Sequence, residues 1–225
     1  MPPAHLTRLM YLATFSGYNG NLIGDNHKAL TKSIIQKKMG LSKPVFYKFW
    51  DDMVSRGILV DEGVSVYLNK DIFFKGQMTN QMIASYQKSN STVTRIYIKG
   101  IRELYEKATV SSHATLSYLF RVLPFVNHQH NIVCTNPFET DVQEIRAMTL
   151  GEFADIIGYD RHNIRRLMKQ LFNTTFMVGD KETRAINFTF GKDMSSEEMK
   201  LYINPSVYYA GDYDEKVEIL KAFFK

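Results

Sequence analysis

The chain has 225 residues, with 28 Lys and Arg against 23 Asp and Glu, a net charge of +5 with His neutral, and an apolar share of 44 %. Its 15 Phe, 13 Tyr and 11 Met supply a packed core and exclude intrinsic disorder, and no stretch approaches the ~20 uninterrupted apolar residues of a membrane span. A single cysteine, Cys134, excludes an internal disulfide framework and a cysteine-rich zinc site, and Met1-Pro2-Pro3-Ala4-His5 lacks the basic start and apolar run of a secretory signal, so a soluble cytoplasmic protein is expected.

In chain order, an opening helix carries Tyr11-Leu12, a glycine-punctuated loop (Gly17, Gly20, Gly24) follows, and Asn21-Leu22-Ile23 reads as a short strand. Thr31 caps a short helix, and Gly40 supplies the left-handed residue that ends it. Ser42 caps a second helix with Pro44 in its first turn, where a missing N–H does no harm. Apolar Val45, Phe46, Phe49, Trp50, Met53 and Val54 recur at helical spacing, while Lys43, Tyr47, Lys48, Asp51 and Asp52 take the other face. Trp50 is expected in the core. After Gly57, Ile58-Leu59-Val60, Asp61-Glu62-Gly63 and Val64-Ser65-Val66-Tyr67-Leu68 read as strand, turn, strand. Helix, turn with glycine, helix and hairpin together predict a winged helix-turn-helix.

Residues 77–109 read as a linker or inter-domain element: polar and loose from Gln77 to Thr92, strand-like to Ile98, helical from Ile101 to Ala108. A shift of 118 residues then repeats the first pattern. Thr149 falls on Thr31, Gly158 on Gly40 and Asp160 on Ser42, while Asn163, Ile164, Leu167, Met168, Leu171 and Phe172 fall on the apolar set. Thr149 and Glu152 form a capping box. Thr175-Phe176-Met177-Val178 falls on Gly57 to Val60 as the start of the second wing. Val66 to Gly76 resembles Leu201 to Gly211 at an offset of 135, so the second wing is 17 residues longer, within Gly179 to Lys200, where Ala185 to Phe190 alternates like another strand. Upstream, Tyr11-Leu12 matches Tyr118-Leu119, and Asn21-Leu22-Ile23 matches Asn131-Ile132-Val133. Asp214 to Lys225 reads as a helix with Val217, Leu220, Phe223 and Phe224 as its apolar stripe. The expectation is an α+β chain, mainly α, of two tandem winged helix-turn-helix domains with β-hairpin wings: 1–76, the element 77–109, 110–211 with the longer wing, and a helix at 212–225.

The charge is concentrated rather than spread. Six lysines and no acidic residue lie between Asn26 and Trp50 (Lys28, Lys32, Lys37, Lys38, Lys43 and Lys48). In the second half Arg161, Arg165, Arg166 and Lys169, with His162 beside them, take the exposed face of the second helix. Lysines near phosphates release counterions and give salt-sensitive affinity, and arginine suits the O6 and N7 edge of guanine. Ser42, Tyr47, His162 and Asn163 add polar groups for base or phosphate contacts, and Lys181 and Arg184 are expected at the tip of the second wing. The candidate DNA-binding residues are therefore Lys32, Lys37, Lys38, Ser42, Lys43, Tyr47, Lys48, Arg161, His162, Asn163, Arg165, Arg166, Lys169, Lys181 and Arg184.

No motif carries chemistry of its own. No GxxxxGK[ST] phosphate loop occurs, and His128-Gln129-His130 with Cys134 fits no common zinc spacing. No tyrosine sits with the metal cluster that a DNA-nicking tyrosine enzyme requires. Neither catalytic residues nor a metal or cofactor is expected, and Cys134 is expected to be buried.

The chain resembles the tandem winged-helix proteins of Gram-positive plasmids and phages, among them plasmid replication initiators. The resemblance lies in the helix-turn-helix Thr31 to Gly57, in the wing closure Tyr67-Leu68-Asn69-Lys70-Asp71-Ile72-Phe73-Phe74-Lys75-Gly76, and in Tyr118 to Val126. It implies sequence-specific binding to double-stranded DNA, in transcription regulation or in DNA replication; the chain lacks the longer basic tail such initiators often carry, which leaves both roles open. A homodimer through the inter-domain element or the C-terminal helix is the further expected partner. The alternative is an adaptor that uses the same fold to bind protein, for instance RNA polymerase or the replication machinery.

Overall fold

Pro3 near the start of the first helix, and Gly40, Gly57 and Gly158 each just after a later one, punctuate the helices as the spacing of these residues predicts. In the computed structural model, which describes residues 1–89, 93, 95–189, 200–209 and 215–224, the chain is mixed α+β and divides into two units, Met1–Ser89 and Asn90–Lys225.

The first unit opens with α1 (Pro3–Ala13), then α2 (Lys32–Met39) and α3 (Lys43–Ser55), an antiparallel hairpin of β1 (Leu59–Asp61) and β2 (Val66–Leu68), and α4 (Asn80–Lys88). Thr31 and Ser42 hold the extended cap positions of α2 and α3 without a side-chain cap bond. Gly40 ends α2 at φ 61°, a conformation that an L side chain adopts only at a cost. The apolar stripe of α3 is the core: Phe46, Phe49, Trp50 and Met53 are at most 1 % exposed, with Ile35 and Met39 of α2 and Leu12 of α1 also buried. The Trp50 indole N–H donates to Asp61 Oδ2 at 3.2 Å, so the largest core side chain satisfies its one polar atom at the turn end of β1. Val45 and Val54, at the stripe's margins, are only partly covered.

The second unit begins with β3 (Arg95–Ile96) and α5 (Ile98–Lys107), followed by α6 (His113–Arg121), α7 (Leu150–Ile157) and α8 (Ile164–Phe172). Then come β4 (Thr175–Val178) paired with β5 (Lys181–Arg184), β6 (Ile186–Thr189) paired with β7 (Lys200–Ile203), β8 (Tyr208–Tyr209) paired with β3, and α9 (Glu215–Ala222). The Thr149–Glu152 capping box is present at the start of α7. Ile164, Leu167, Met168 and Leu171 of α8 bury against a core that includes Phe153, Ile157, Phe176 and Ile186. A Cβ on Gly100 would stand 2.1 Å from the Ser206 carbonyl oxygen, so only glycine lets α5 lie this close to that turn. Among the described residues no helix is long and apolar enough to cross a membrane.

The repeat extends to individual hydrogen bonds. Leu22 N–H donates to the Val66 carbonyl at 2.7 Å and Leu68 N–H to Gly20 at 2.8 Å; in the second unit Val133 donates to Leu201 at 2.8 Å and Ile203 to Asn131 at 3.0 Å. Gly20 and Asn131 share a positive φ, 79° and 53°. Asn69 donates its side-chain amide to the Gly57 carbonyl and accepts from Asp71 N–H, and Asn204 does the same with Arg184 and Ser206. The asparagine in both wing closures is thus a clamp between the end of the hairpin and the chain that enters it.

Four sequence expectations change. The short strands match as Gly20-Asn21-Leu22 with Asn131-Ile132-Val133, one residue from the pairing read off the sequence, because two asparagines were superposed where the backbone matches a glycine with an asparagine. The opening helices match with Leu12 on Val122, one turn away from the Tyr11–Tyr118 alignment: Phe15 N–H bonds Leu12 as Phe125 N–H bonds Val122. Thr175–Val178, expected as the start of a second wing, does not match β1. Leu59 pairs with Leu68 as Ile186 pairs with Ile203, so the offset is 127 at the first wing strand and 135 at the second. The β4–β5 hairpin is therefore an insertion between α8 and the β6–β7 hairpin and takes up nine of the 17 extra residues. Lys181 and Arg184, expected at the tip of the second wing, consequently belong to this hairpin and not to the β6–β7 pair, between whose strands residues 190–199 lie outside the described residues.

The polar stretch from Gln77 contains α4, where the Thr79 hydroxyl accepts from Met82 N–H at 3.2 Å. No described side chain of α4 is buried, which explains why composition alone read it as loose. Within 77–109, α4 falls in the first unit and α5 in the second; Thr92 and Thr94 of the strand-like segment lie outside the described residues, as do Gly211, Asp214 and Lys225. The chain after α9 is tied to β5 and β6, with Thr183 Oγ1 donating to the Phe224 carbonyl at 2.6 Å and Asn187 Nδ2 to that of Phe223 at 3.0 Å.

Candidate nucleic-acid interface

In the first unit the candidate cations separate into held and free groups. Lys32 lies 5.0 Å from the Trp50 ring centroid, 4.9 Å from that of Tyr47 and 4.0 Å from Asp61 Oδ2, so it is partly spent on the unit's own surface. Lys38 is 3.9 Å from Asp25 Oδ2 and 5.1 Å from the Phe15 ring centroid. Lys37, Lys43 and Lys48 are exposed, and no ion pair reaches them among the described residues. Ser42 is exposed at the cap of α3, and Tyr47 is 46 % exposed on the outward face. Asp52 is drawn toward His5 at 2.7 Å and to Arg56, and these bonds hold its carboxyl below the ordinary carboxylate range. Asp51 is exposed, with no ion pair among the described residues.

In the second unit α8 begins later than the spacing of its apolar residues predicts. Arg161, His162 and Asn163 form a single 3-10 turn, capped by the Asp160 carboxylate on His162 N–H, and the α-helix proper starts at Ile164. Arg161 is therefore not on the helix face. Its guanidinium forms a two-pronged ion pair with Asp155 of α7, which holds the Asp155 carboxyl below its ordinary range. The Asp160 carboxylate also takes the Asn163 side-chain amide at 2.7 Å and the His162 ring at 3.1 Å, so these two polar candidates are engaged at the turn. Arg165, Arg166 and Lys169 are on α8, exposed, with no ion pair among the described residues and no acidic residue on the same helix. Arg166 and Lys169 stand opposite the buried stripe, at a spacing that shares one face, with Arg165 and Gln170 on its two shoulders. Gln170 is not among the residues expected from the sequence, although its helical spacing from Arg166 puts it on this surface.

The inserted hairpin places the two remaining candidates differently. Lys181 follows the Gly179–Asp180 turn and is exposed. Arg184 is at the opposite end of the hairpin, paired with Thr175, and its guanidinium covers the Phe172 ring at 4.0 Å. Lys107 of α5 pins the hairpin through Glu182 and through Thr175 Oγ1 at 2.8 Å, and it lowers the Glu182 carboxyl below its usual range.

A cavity of about 310 Å³ in the second unit has a mixed lining, apolar at Leu104, Ala108 and Leu116 and polar at Lys107, Gln170 and Thr175 among others. Its one cation is already committed to Glu182, and no nucleophile–base pair faces it among the described residues. Among the described residues no group of His, Cys, Asp and Glu is placed to hold a metal ion. In the His128-Gln129-His130 stretch, Asn127 Oδ1 accepts from the N–H groups of Gln129 and His130, and His128 packs edge-on against Phe138.

Cys134 is fully buried beside Ile132 and Ile145, and burial pushes its thiol up to about 11. The native protein is expected to leave a thiol-reactive chromogenic disulfide unreacted at neutral pH and to consume it once unfolded in urea; rapid labelling of the native chain would contradict this placement.

No protein-family model, curated protein or solved structure matches the chain.

Proposed function

We propose that the chain is a sequence-specific double-stranded DNA-binding protein of a phage or plasmid, built of two tandem winged-helix domains, that acts as a transcription regulator or replication initiator. The observation that carries this reading is the recurrence, in each unit, of exposed cations with no ion pair among the described residues, on the second helix of a helix–turn–helix that a hairpin follows. A helix of this kind fits the major groove, about 12 Å wide, and lysines at its ends reach the flanking phosphates. The origin in a mobile element is supported by the resemblance of the wing closures, whose asparagine clamps recur in both units.

The test is selection of duplexes from a random pool by the purified full chain, followed by titration of the recovered duplex at increasing salt. Enrichment of a common sequence is expected, with a log–log salt slope of about −4.5 if about five phosphates are contacted. No enrichment, or retention insensitive to salt, overturns the reading.

One observation favours the adaptor alternative. The loop 135–146 replaces a much shorter turn of the first unit, between bridges Ile23–Ala29 and Cys134–Ala147. Side-chain bonds from Asn136, Glu139 and Asp141 to backbone groups hold it, and it exposes Phe138 at 61 % and Val142 at 47 % beside Glu139, Asp141 and Glu144. An acidic, aromatic surface repels phosphate and suits contact with a basic protein. Enrichment of DNA with an unchanged Kd in Phe138→Ala keeps the two readings separate.

A further inference from the structure

We infer that the two units are unequal readers of DNA, and that the second reads guanine through α8 while the first contributes phosphate contacts. The inference rests on the proposed DNA binding and specifies its substrate. On α8 the line opposite the buried stripe carries Arg166 and Lys169. The matching line on α3 carries Lys48 and Asp51, whose charges cancel. The shoulders differ in the same sense: Arg165 and Gln170 on α8 stand where α3 has Tyr47 and Asp52. Asp52 is turned to His5 and Arg56, within its own unit.

Side-chain chemistry then assigns the roles. Arginine presents two parallel N–H groups that match guanine O6 and N7, glutamine matches adenine N6 and N7, and a lysine ammonium is a point charge suited to phosphate. Arg165, Arg166 and Gln170 are thus suited by their side chains to guanine and adenine edges. Lys37, Lys43 and Lys48 lie on α2 and the N-terminal half of α3, and Asp51 opposes phosphate further along α3. Arg161 takes no part in readout, because Asp155 occupies both prongs of its guanidinium.

The experiment uses the full chain and the selected duplex with 7-deazaguanine, which lacks the N7 acceptor, placed in one half of the site or the other. For the wild type, substitution in one half alone is expected to weaken binding about tenfold. Arg166→Ala is expected to erase that sensitivity, whereas Lys48→Ala weakens every duplex alike, by about threefold. Equal sensitivity in both halves, none in either, or sensitivity that survives Arg166→Ala overturns the inference while leaving DNA binding in place. Failure of the wild type to select any duplex overturns the DNA-binding reading itself.

Discussion

Trp50→Ala is expected to cost the first unit about 3–5 kcal/mol, the range for removing a large buried aromatic side chain. Trp50 is 1 % exposed, and its ring is 5.3 Å from that of Phe46. Removing it leaves a cavity that Phe46, Phe49 and Met53 on the same helix cannot fill without leaving their own positions. It also strips Asp61 of the indole N–H and Lys32 of the ring beneath its ammonium. An ordinary domain is stable by only about 5–15 kcal/mol, so the loss should move the unit's urea midpoint far toward zero denaturant. Trp50→Phe separates packing from hydrogen bonding: it keeps most of the ring volume and forfeits the bond to Asp61, for an expected cost of about 1–3 kcal/mol. A loss in Trp50→Ala no larger than in Trp50→Phe would mean that the ring contributes little packing, contrary to its burial.

The features that could be read from the sequence are those written in short-range chemistry. The spacing of Phe46, Phe49, Trp50 and Met53, the glycine at position 40 and the Thr149–Glu152 box each act within one or two helical turns, and each forms as that chemistry dictates. The wing closures were also legible, because Asn69 and Asn204 make local turns whose residues recur in order. Strand partnership was not. Phe176 is buried and alternates with Thr175 and Met177, as a wing strand should, yet its partner is Thr183 and not the strand that ends at Ile203. Two hairpins with the same alternation cannot be ranked by local pattern when either could pair with β7. The charged surface was legible as a cluster, because consecutive helix turns placed its residues. Which of its members are free depends on distant or opposing groups, as with Arg161 and Asp155, Lys32 and Asp61, or Arg184 and Phe172. These contacts remove candidates from both units, and the difference between the two faces lies in Asp51 of α3 standing where α8 has Lys169.

Replacing both Arg165 and Arg166 by alanine is expected to weaken binding to the selected duplex about a hundredfold or more, since each two-pronged contact with guanine is worth about 1–3 kcal/mol of discrimination. The fold should be indifferent to the change. Both side chains are exposed and make no ion pair among the described residues, α8 keeps Ile164, Leu167, Met168 and Leu171 in the core, and alanine is the better helix former. The thermal midpoint should correspond to a stability within about 0.5 kcal/mol of the wild type. The double lysine variant decides what kind of interaction was lost. Arg165→Lys with Arg166→Lys keeps both charges, so the salt slope and the affinity for unrelated duplexes should stay near those of the wild type. It loses the planar fork, so the preference for the selected duplex over an unrelated one should fall nearly as far as in the alanine variant. Full recovery of that preference with lysine would mean that α8 acts by charge alone, and the α8 surface would then be a phosphate contact like Lys43 and Lys48 of the first unit.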